Sequence, residues 1–370
     1  MPSSSQPTVP APVVPAFDGA CLINVVAALR EPTDWVPTPV VGARQVVLLL
    51  LDGLGWEQLE ERRQLAPMLA SGVGRPITSV APSTTAVALT SLTTGLPPAV
   101  HGVVGYRVDV DGEILNVLTW QVGGRDARRR LPARRFQPFA NLGGGARVPV
   151  VTRSEYATTG FTAAHLADGD LHGWSTPSGL VVEVRRLLEA GTPLVYAYYD
   201  GIDRVSHSRG LGEHYDAELK AVDRLVADLC ELLGPDAALV VTADHGQVHV
   251  GSTIEVLDGE VMDGVGLLSG EGRFRWLHAH PGAAEDVAAA ARQRYGQLAW
   301  VRTREEVIDD GWLGGEPVPP VADRLGDVAL VPFAPTAFLD PADTGEQRLV
   351  GRHGSLTSAE MLVPLLAWRG

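Results

Sequence analysis

Two cysteines in 370 residues, Cys21 and Cys230, are too few for a disulfide framework. No Cys-x-x-Cys pair exists, which excludes a zinc-finger site. Basic charge is also short, since 30 Lys and Arg against 44 Asp and Glu leave a net charge of −14. A nucleic-acid-binding surface needs a positive field, so the balance argues against one. Small anionic substrates remain open, because bound divalent cations invert a local field. No apolar run approaches the roughly 20 residues that span a bilayer. Arg30, Glu31, Asp34 and Arg44 interrupt the first apolar region. The opening stretch, Met1-Pro-Ser-Ser-Ser, has neither the basic nor the apolar segment of a secretory signal. The expectation is a soluble, cytoplasmic protein with no membrane partner and an undefined oligomeric state.

What is present reads as an ordinary globular chain, 45% apolar and 20% charged. Residues 1–17, rich in Pro and Ser, are expected to form a loose arm, and 18–370 one large domain. Gln45–Leu51 is a continuous apolar run that stops at Asp52-Gly53, as a strand buried on both faces would. Trp56–Leu69 has helical spacing, and residues 76–80 read as a second strand. Thr85–Thr94 reads as a helix closed by Gly95. Pro193–Tyr199 and Ala238–Thr242 are further buried strands, with an amphipathic helix over 213–233 between them. The tail 360–368 is strand-like, and Pro364 places it at a sheet edge. Residues 105–150 read as a hairpin-bearing insert. Residues 250–345 read as a second insert with a small βαβ-like pattern, including a strand over 274–279 and a helix over 283–295. Strands alternating with helices predict an α/β fold, a mainly parallel sheet with helices on both faces and small inserted subdomains.

Metal-type ligands recur where strands give way to loops. Asp52 follows the first strand, Asp203 and His207 follow the 193–199 strand, and Asp244-His245 follow the 238–242 strand. His353 precedes the last apolar run. Each alone has a bland reading: Asp52-Gly53 as a turn, Asp203 with His207 as a solvated helix face, His353 as a loop residue. Together, three Asp and three His make enough donors for two divalent ions. Asp203 and His207, four apart, share one face of a helix. Between the second strand and the Thr85 helix lies Pro82-Ser83-Thr84-Thr85. A hydroxyl there meets free backbone N–H groups and the positive end of the helix dipole, a natural phosphate seat. His101 is expected to be structural. The Arg125–Arg135 cluster reads as a solvated loop or a distant phosphate clamp, and Trp120, Phe136 and Phe139 as the core of an insert.

Six segments, in order, resemble the alkaline phosphatase superfamily, most closely its type I phosphodiesterase/nucleotide pyrophosphatase branch. They are Leu51-Asp-Gly53, Ala81-Pro-Ser-Thr-Thr85, the 94–102 stretch ending in His101-Gly102, Asp203-xxx-His207, Thr242-Ala-Asp-His-Gly246 and Gly351-Arg-His-Gly354. The resemblance spans most of residues 45–368. It implies an alkaline phosphatase-like three-layer α/β/α sandwich and two divalent ions, with zinc the expected metal. One ion would be held by Asp203, His207 and His353. The other would be held by Asp52, Asp244 and His245, with the nucleophile completing its shell. The nucleophile maps to Thr85, with Thr84 its neighbour and rival. It would form a phosphothreonine intermediate that metal-activated water hydrolyses. The implied substrate is a small phosphodiester or pyrophosphate. The resemblance also implies a phosphate-binding Asn three residues past the nucleophile, where this chain has Ala88. That departure keeps two alternatives open: a phosphomonoesterase or phosphonate hydrolase on the same scaffold, and a metal-binding protein without catalysis.

Overall fold

Gln45–Leu51 (β1) carries six consecutive buried apolar residues, which only a strand covered on both faces can accommodate. A computed structural model of the protein describes residues 9–143 and 147–370. In it β1 lies at the centre of a seven-stranded sheet. The other strands are Val73–Thr78 (β2), Val148–Arg153 (β3), Gly169–Trp174 (β4), Leu194–Tyr199 (β5), Ala237–Thr242 (β6) and Leu362–Arg369 (β7). The spatial order is β2-β7-β6-β1-β5-β3-β4. β1 pairs in parallel with both β5 and β6, and β7 alone runs against its neighbours.

One layer of helices gathers around Thr85–Thr94 (α1), with Val25–Arg30 and Gly160–His165 against it. The other gathers around Glu213–Cys230 (α3), which touches Gly201–Arg209 (α2) and Pro177–Glu189. The buried face of α3 is Leu219, Val222, Val226 and Leu229, the stripe its 3.6-residue spacing predicts. The α/β/α sandwich is as expected.

Three local expectations are corrected. The helix read over 56–69 is two, Trp56–Glu61 and Pro67–Ser71. Pro67 has no N–H to give and pushes Ala66 out of helical geometry, so the first helix stops short. Pro364 does not put β7 at an edge, because β7 lies between β2 and β6. Pro364 faces Pro76 across the β2 pairing, and its pairing with β6 begins only at Leu365. A proline pair exchanges no N–H, so the ladder loses nothing there. Of the expected loose arm, residues 1–8 lie outside the described residues, while 9–17 run along the body. Val13 N–H donates to the Leu356 carbonyl at 2.8 Å, and Trp300 Nε1 donates to the Pro10 carbonyl at 2.8 Å.

Both inserts are small sheets. In the first, Arg107–Val110 and Glu113–Asn116 form a hairpin extended by two short strands to Asp126. Trp120 is buried here against Phe136, with rings edge to face at 5.5 Å. In the second, Val265–Glu271, Phe274–Ala279, Ala299–Thr303 and Val328–Pro332 form an antiparallel sheet. The strands 274–279 and 299–303 flank 328–332 and are joined through the helix Ala284–Tyr295. The expected βαβ pattern is thus split by a third strand. Arg273, 1% exposed, anchors this insert to the loop before β7. It donates to Glu360 at 2.7 and 2.9 Å and to three backbone carbonyls. Arg273→Ala would remove the cation from a buried ion pair and leave Glu360 with only the Ser355 N–H and the Thr357 hydroxyl as donors. It is expected to cost about 3–5 kcal/mol in urea unfolding.

Candidate metal centre

The sheet order places the carboxyl ends of β5, β1 and β6 side by side, and each delivers ligand-type residues. Asp52 leaves β1, Asp244 and His245 leave β6, and Asp203 and His207 sit one turn apart on α2 after β5. His353 arrives from the loop before β7, and Thr85 is the first residue of α1. All seven residues read from the sequence therefore meet at one end of the sheet.

Two groups of donors lie close enough to hold an ion. Asp52, Asp244 and His245 form one, and Asp203, His245 and His353 the other, with ligand atoms within 4.8 Å of one another in each group. His207 borders the second group: its Nε2 is 3.3 Å from Asp203 Oδ2 and 3.3 Å from His353 Nε2. His245 stacks on His353 with ring centroids 3.5 Å apart, so it stands between the two groups.

The three imidazoles share one arrangement. His207 Nδ1 lies 2.8 Å from the Gly351 carbonyl, His245 Nδ1 2.9 Å from the Gly246 carbonyl, and His353 Nδ1 3.0 Å from the Ser83 carbonyl. A carbonyl only accepts, so each Nδ1 carries the proton and each Nε2 offers a lone pair to the centre. Two such lone pairs, on His207 and His353, face each other at 3.3 Å. That contact repels unless a cation lies between them.

The carboxylates point the same way. Asp52 and Asp244 are buried, and Asp52 Oδ1 and Asp244 Oδ2 have no hydrogen-bond partner among the described residues. Burial, with Asp244 and Asp203 beside it, pushes the Asp52 carboxyl well above the usual carboxylate range. Burial also raises Asp244, while burial and the neighbouring imidazoles hold His353 well below its ordinary value. Such a set is unstable as bare charges and natural around divalent cations, which compensate both the desolvation and the repulsion.

Thr85 Oγ1 lies 3.2 Å from His245 Nε2, at the positive end of α1. Ala88, one turn along, is buried and offers no polar group. Two cavities open onto Thr85. One, of about 870 Å³, is walled by Tyr106, Arg107, Glu271, Asp343 and Arg352. The other, of about 570 Å³, is walled by Tyr156, Phe161, Tyr198 and Asp200. Both touch Asp203, and Leu118, Thr119 and Gln121 of the first insert border both.

Several residues at the site carried no separate signal in the sequence. The Tyr198 hydroxyl donates to Asp52 Oδ2, and Gln247 Nε2 donates to Asp203 Oδ1 at 2.6 Å. Tyr198 could have been found from its place on β5, and Gln247 from standing two residues past His245. Asp200, a rival to Asp203, is instead tied to Arg153 and to the Tyr156 hydroxyl, each at 2.7 Å. His101 is buried between Ser91 and the Val103 N–H, a structural role. In the arginine cluster, Arg128 pairs with Asp126 and Arg130 with Glu113, all at the exposed surface. A third constellation, Ser269–His278–Asp109, has the composition of a hydrolytic triad. Ser269 is 1% exposed and borders neither cavity, so the set ties the first insert to the second.

A family profile described as type I phosphodiesterase/nucleotide pyrophosphatase matches residues 46–356. The chain belongs to that family. Its fold is shared with murine ectonucleotide pyrophosphatase/phosphodiesterase 5, at 15% identity, a TM-score of 0.64 and 87% coverage of each chain. The human counterpart aligns at 14% identity with a TM-score of 0.65, over 87% of each chain. Phosphonoacetate hydrolase from Sinorhizobium meliloti 1021 aligns at 20% identity and a TM-score of 0.64, over 88% of this chain and 90% of that one. No curated protein sequence matches the chain significantly. Among the described residues no helix is long and apolar enough to cross a membrane. Family membership and the two donor groups together support a metal-dependent hydrolase of phosphoesters or phosphonates.

Two outcomes follow from this geometry. Tyr198→Phe removes the hydrogen bond that orients Asp52, and a loss of about 10–100-fold in metal affinity is expected by competition with a chelating dye. The second concerns pH. The raised carboxyls of Asp52 and Glu271, the latter pushed up to about 8, hold protons in the folded state that the unfolded chain has released. Such groups stabilise at low pH and lose that contribution as pH rises through the folded value. Buried His101 and His165, held down to about 3 and 4, act oppositely but only below 6.5. Chelated protein should therefore melt at a lower temperature at pH 8 than at pH 6.5, and metal-loaded protein should show a smaller fall. Equal slopes for the two forms would contradict this reading of the carboxylates.

Proposed function

We propose that the protein is a two-metal phosphodiesterase or pyrophosphatase with Thr85 as its nucleophile. The carrying observation is the position of Thr85 Oγ1, 3.2 Å from His245 Nε2 at the start of α1, beside both donor groups. Thr84, the rival hydroxyl, belongs to the N-cap residue and borders only the first cavity. Asp52, Asp244 and His245 would hold one ion and Asp203, His207 and His353 the other, with zinc matched to the mixed imidazole and carboxylate set. The six residues fit that role because their free lone pairs and unpartnered oxygens converge. Bound ions would supply Lewis acidity, neutralising phosphoryl charge and favouring the ionised threonine and water.

The chain's own residues do the rest. Thr85 oxygen forms a bond to phosphorus, and the bond from phosphorus to the leaving alcohol or phosphate breaks in line. Water then cleaves the phosphothreonine and restores the hydroxyl. Tyr198 and Gln247 keep Asp52 and Asp203 oriented throughout. A murine relative described as an inactive threonine-to-alanine form in complex with AMP is consistent with a threonine in this role.

The two cavities favour a diester over a monoester. A diester places two arms about the phosphorus, and two separate spaces meet at Thr85. A monoester would fill one and would need donors for additional charged oxygens. The comparison is direct: zinc-loaded protein should turn over bis-(4-nitrophenyl) phosphate faster than 4-nitrophenyl phosphate, and the opposite preference would move the assignment to a monoesterase. Thr85→Ala should lower kcat by on the order of 10³-fold or more, with metal content unchanged by elemental analysis. Undiminished turnover in that variant would remove Thr85 from the mechanism.

A further inference from the structure

The two cavities join at one place. Five residues border both: Thr85 and Asp203 from the sandwich, and Leu118, Thr119 and Gln121 from the first insert. A diester attacked by Thr85 sends one arm into each cavity, so its phosphoryl oxygens lie at this junction. The helix beneath offers them little from its side chains. Beyond Thr85, the first turn of α1 is Ala86, Val87 and Ala88, all buried and apolar. A further side-chain donor must therefore come from across the junction, from the insert.

The insert has a local structure suited to supplying one. Trp120 is fully buried, while its neighbours Thr119 and Gln121 are exposed. The chain turns at Trp120 itself, whose φ of 56° lies in the left-handed region. A bulky residue is strained there and persists only where its surroundings hold it. Several contacts hold Trp120. Its Nε1 donates to the Leu131 carbonyl at 2.7 Å, its carbonyl accepts from the Ala127 N–H at 2.9 Å, and its ring meets Phe136. It also covers Gly160, where a Cβ would come within 2.2 Å of the indole. Gly160 opens the helix that packs on α1. The bend is thus fixed to the helix that carries Thr85.

Of the two polar residues beside this anchor, Gln121 is the better placed. It sits on a short strand, held through its backbone by Asn116 on one side and Asp126 on the other, with its side chain exposed. Thr119 stands in a turn, its N–H donating to Asn116 Oδ1 at 3.0 Å. A strand positions a side chain more closely than a turn does. We propose that Gln121 is a further catalytic residue, whose amide N–H donates to a non-bridging phosphoryl oxygen, and that the strained bend at Trp120 holds it over Thr85. This rests on the phosphodiesterase reading for the reaction, but not for the contact with a phosphoryl group. A donor aimed where charge gathers acts more on the transition state than on the bound substrate. Losing it therefore lowers kcat more than it raises KM.

The test compares Gln121→Met, which keeps the length without a donor, and Gln121→Glu, which keeps the shape without an N–H, with Thr119→Val. Zinc-loaded proteins are assayed on bis-(4-nitrophenyl) phosphate, and orthovanadate and inorganic phosphate are titrated into each calorimetrically. Metal content and melting temperature are measured alongside, and Gln121→Glu carries the comparison if Gln121→Met alters the fold. Both Gln121 variants are expected to lower kcat on the order of 10²-fold, with little change in KM. Vanadate, which takes the five-coordinate shape of the transition state, should bind more weakly by a similar factor, and phosphate by much less. A space-filling role would spare Gln121→Glu. Wild-type turnover in either Gln121 variant overturns the proposal. A fall in kcat with vanadate binding unchanged also overturns it, as does a wild type that does not bind vanadate. A larger loss in Thr119→Val than in Gln121→Met overturns it in favour of Thr119. A wild type that turns over no diester, but whose vanadate binding depends on Gln121, would instead remove the phosphodiesterase reading and leave the contact standing.

Discussion

Three carboxylates and three imidazole lone pairs converge at one end of a mainly parallel sheet, and most of the molecule exists to hold them there. Asp52, Asp203 and Asp244 repel one another, and two of them are buried where water cannot dilute that repulsion. His207 and His353 present Nε2 to Nε2. Left to themselves these groups would move apart. They stay because each is fixed from behind, the imidazoles through Nδ1 to backbone carbonyls and the carboxylates through Tyr198, Gln247 and the Gly53 N–H. A centre held this way is preorganised for cations, since the geometry is set by the scaffold and not by the ion.

The scaffold achieves this through strand adjacency. β5, β1 and β6 are neighbours, so residues far apart in the chain reach the same edge at the same height. The antiparallel β7 brings the loop carrying His353 across that edge, and the buried Arg273–Glu360 pair locks the second insert to the same loop. The inserts then give the centre its surroundings. The first lays Leu118–Gln121 over Thr85, held by the buried ring of Trp120. The second contributes Glu271 at the end of one of its strands. The donor groups thus belong to the sandwich, whereas the inserts wall the cavities beside them.

Much of this could be read along the chain. The continuous apolar runs at 45–51 and 237–242 can be little other than doubly covered strands, and the stripe on α3 needs a helix. Errors arose where a local rule met a tertiary exception. The leucines of 56–69 keep helical spacing, yet Pro67 divides the segment. Pro364 is tolerated inside the sheet because it faces another proline where no ladder bond is required. Residues 9–17 look like an arm by composition and are captured by bonds to Leu356 and Trp300, which no local pattern foretells.

By itself the sequence determined the strands and helices of the sandwich and the inventory of donors, because strand burial, helix periodicity and ligand chemistry are local properties of residues. It also placed each donor at a strand end, which is a statement about neighbours in the chain. Only the tertiary structure decided which donors share an ion-sized space, that His245 stands between two groups, and that Asp200 is spent on Arg153. It alone brought Tyr198 behind Asp52 and Gln247 behind Asp203. The reason is that pairing is a balance among groups from separate segments, and that balance is settled only when the fold brings those segments together.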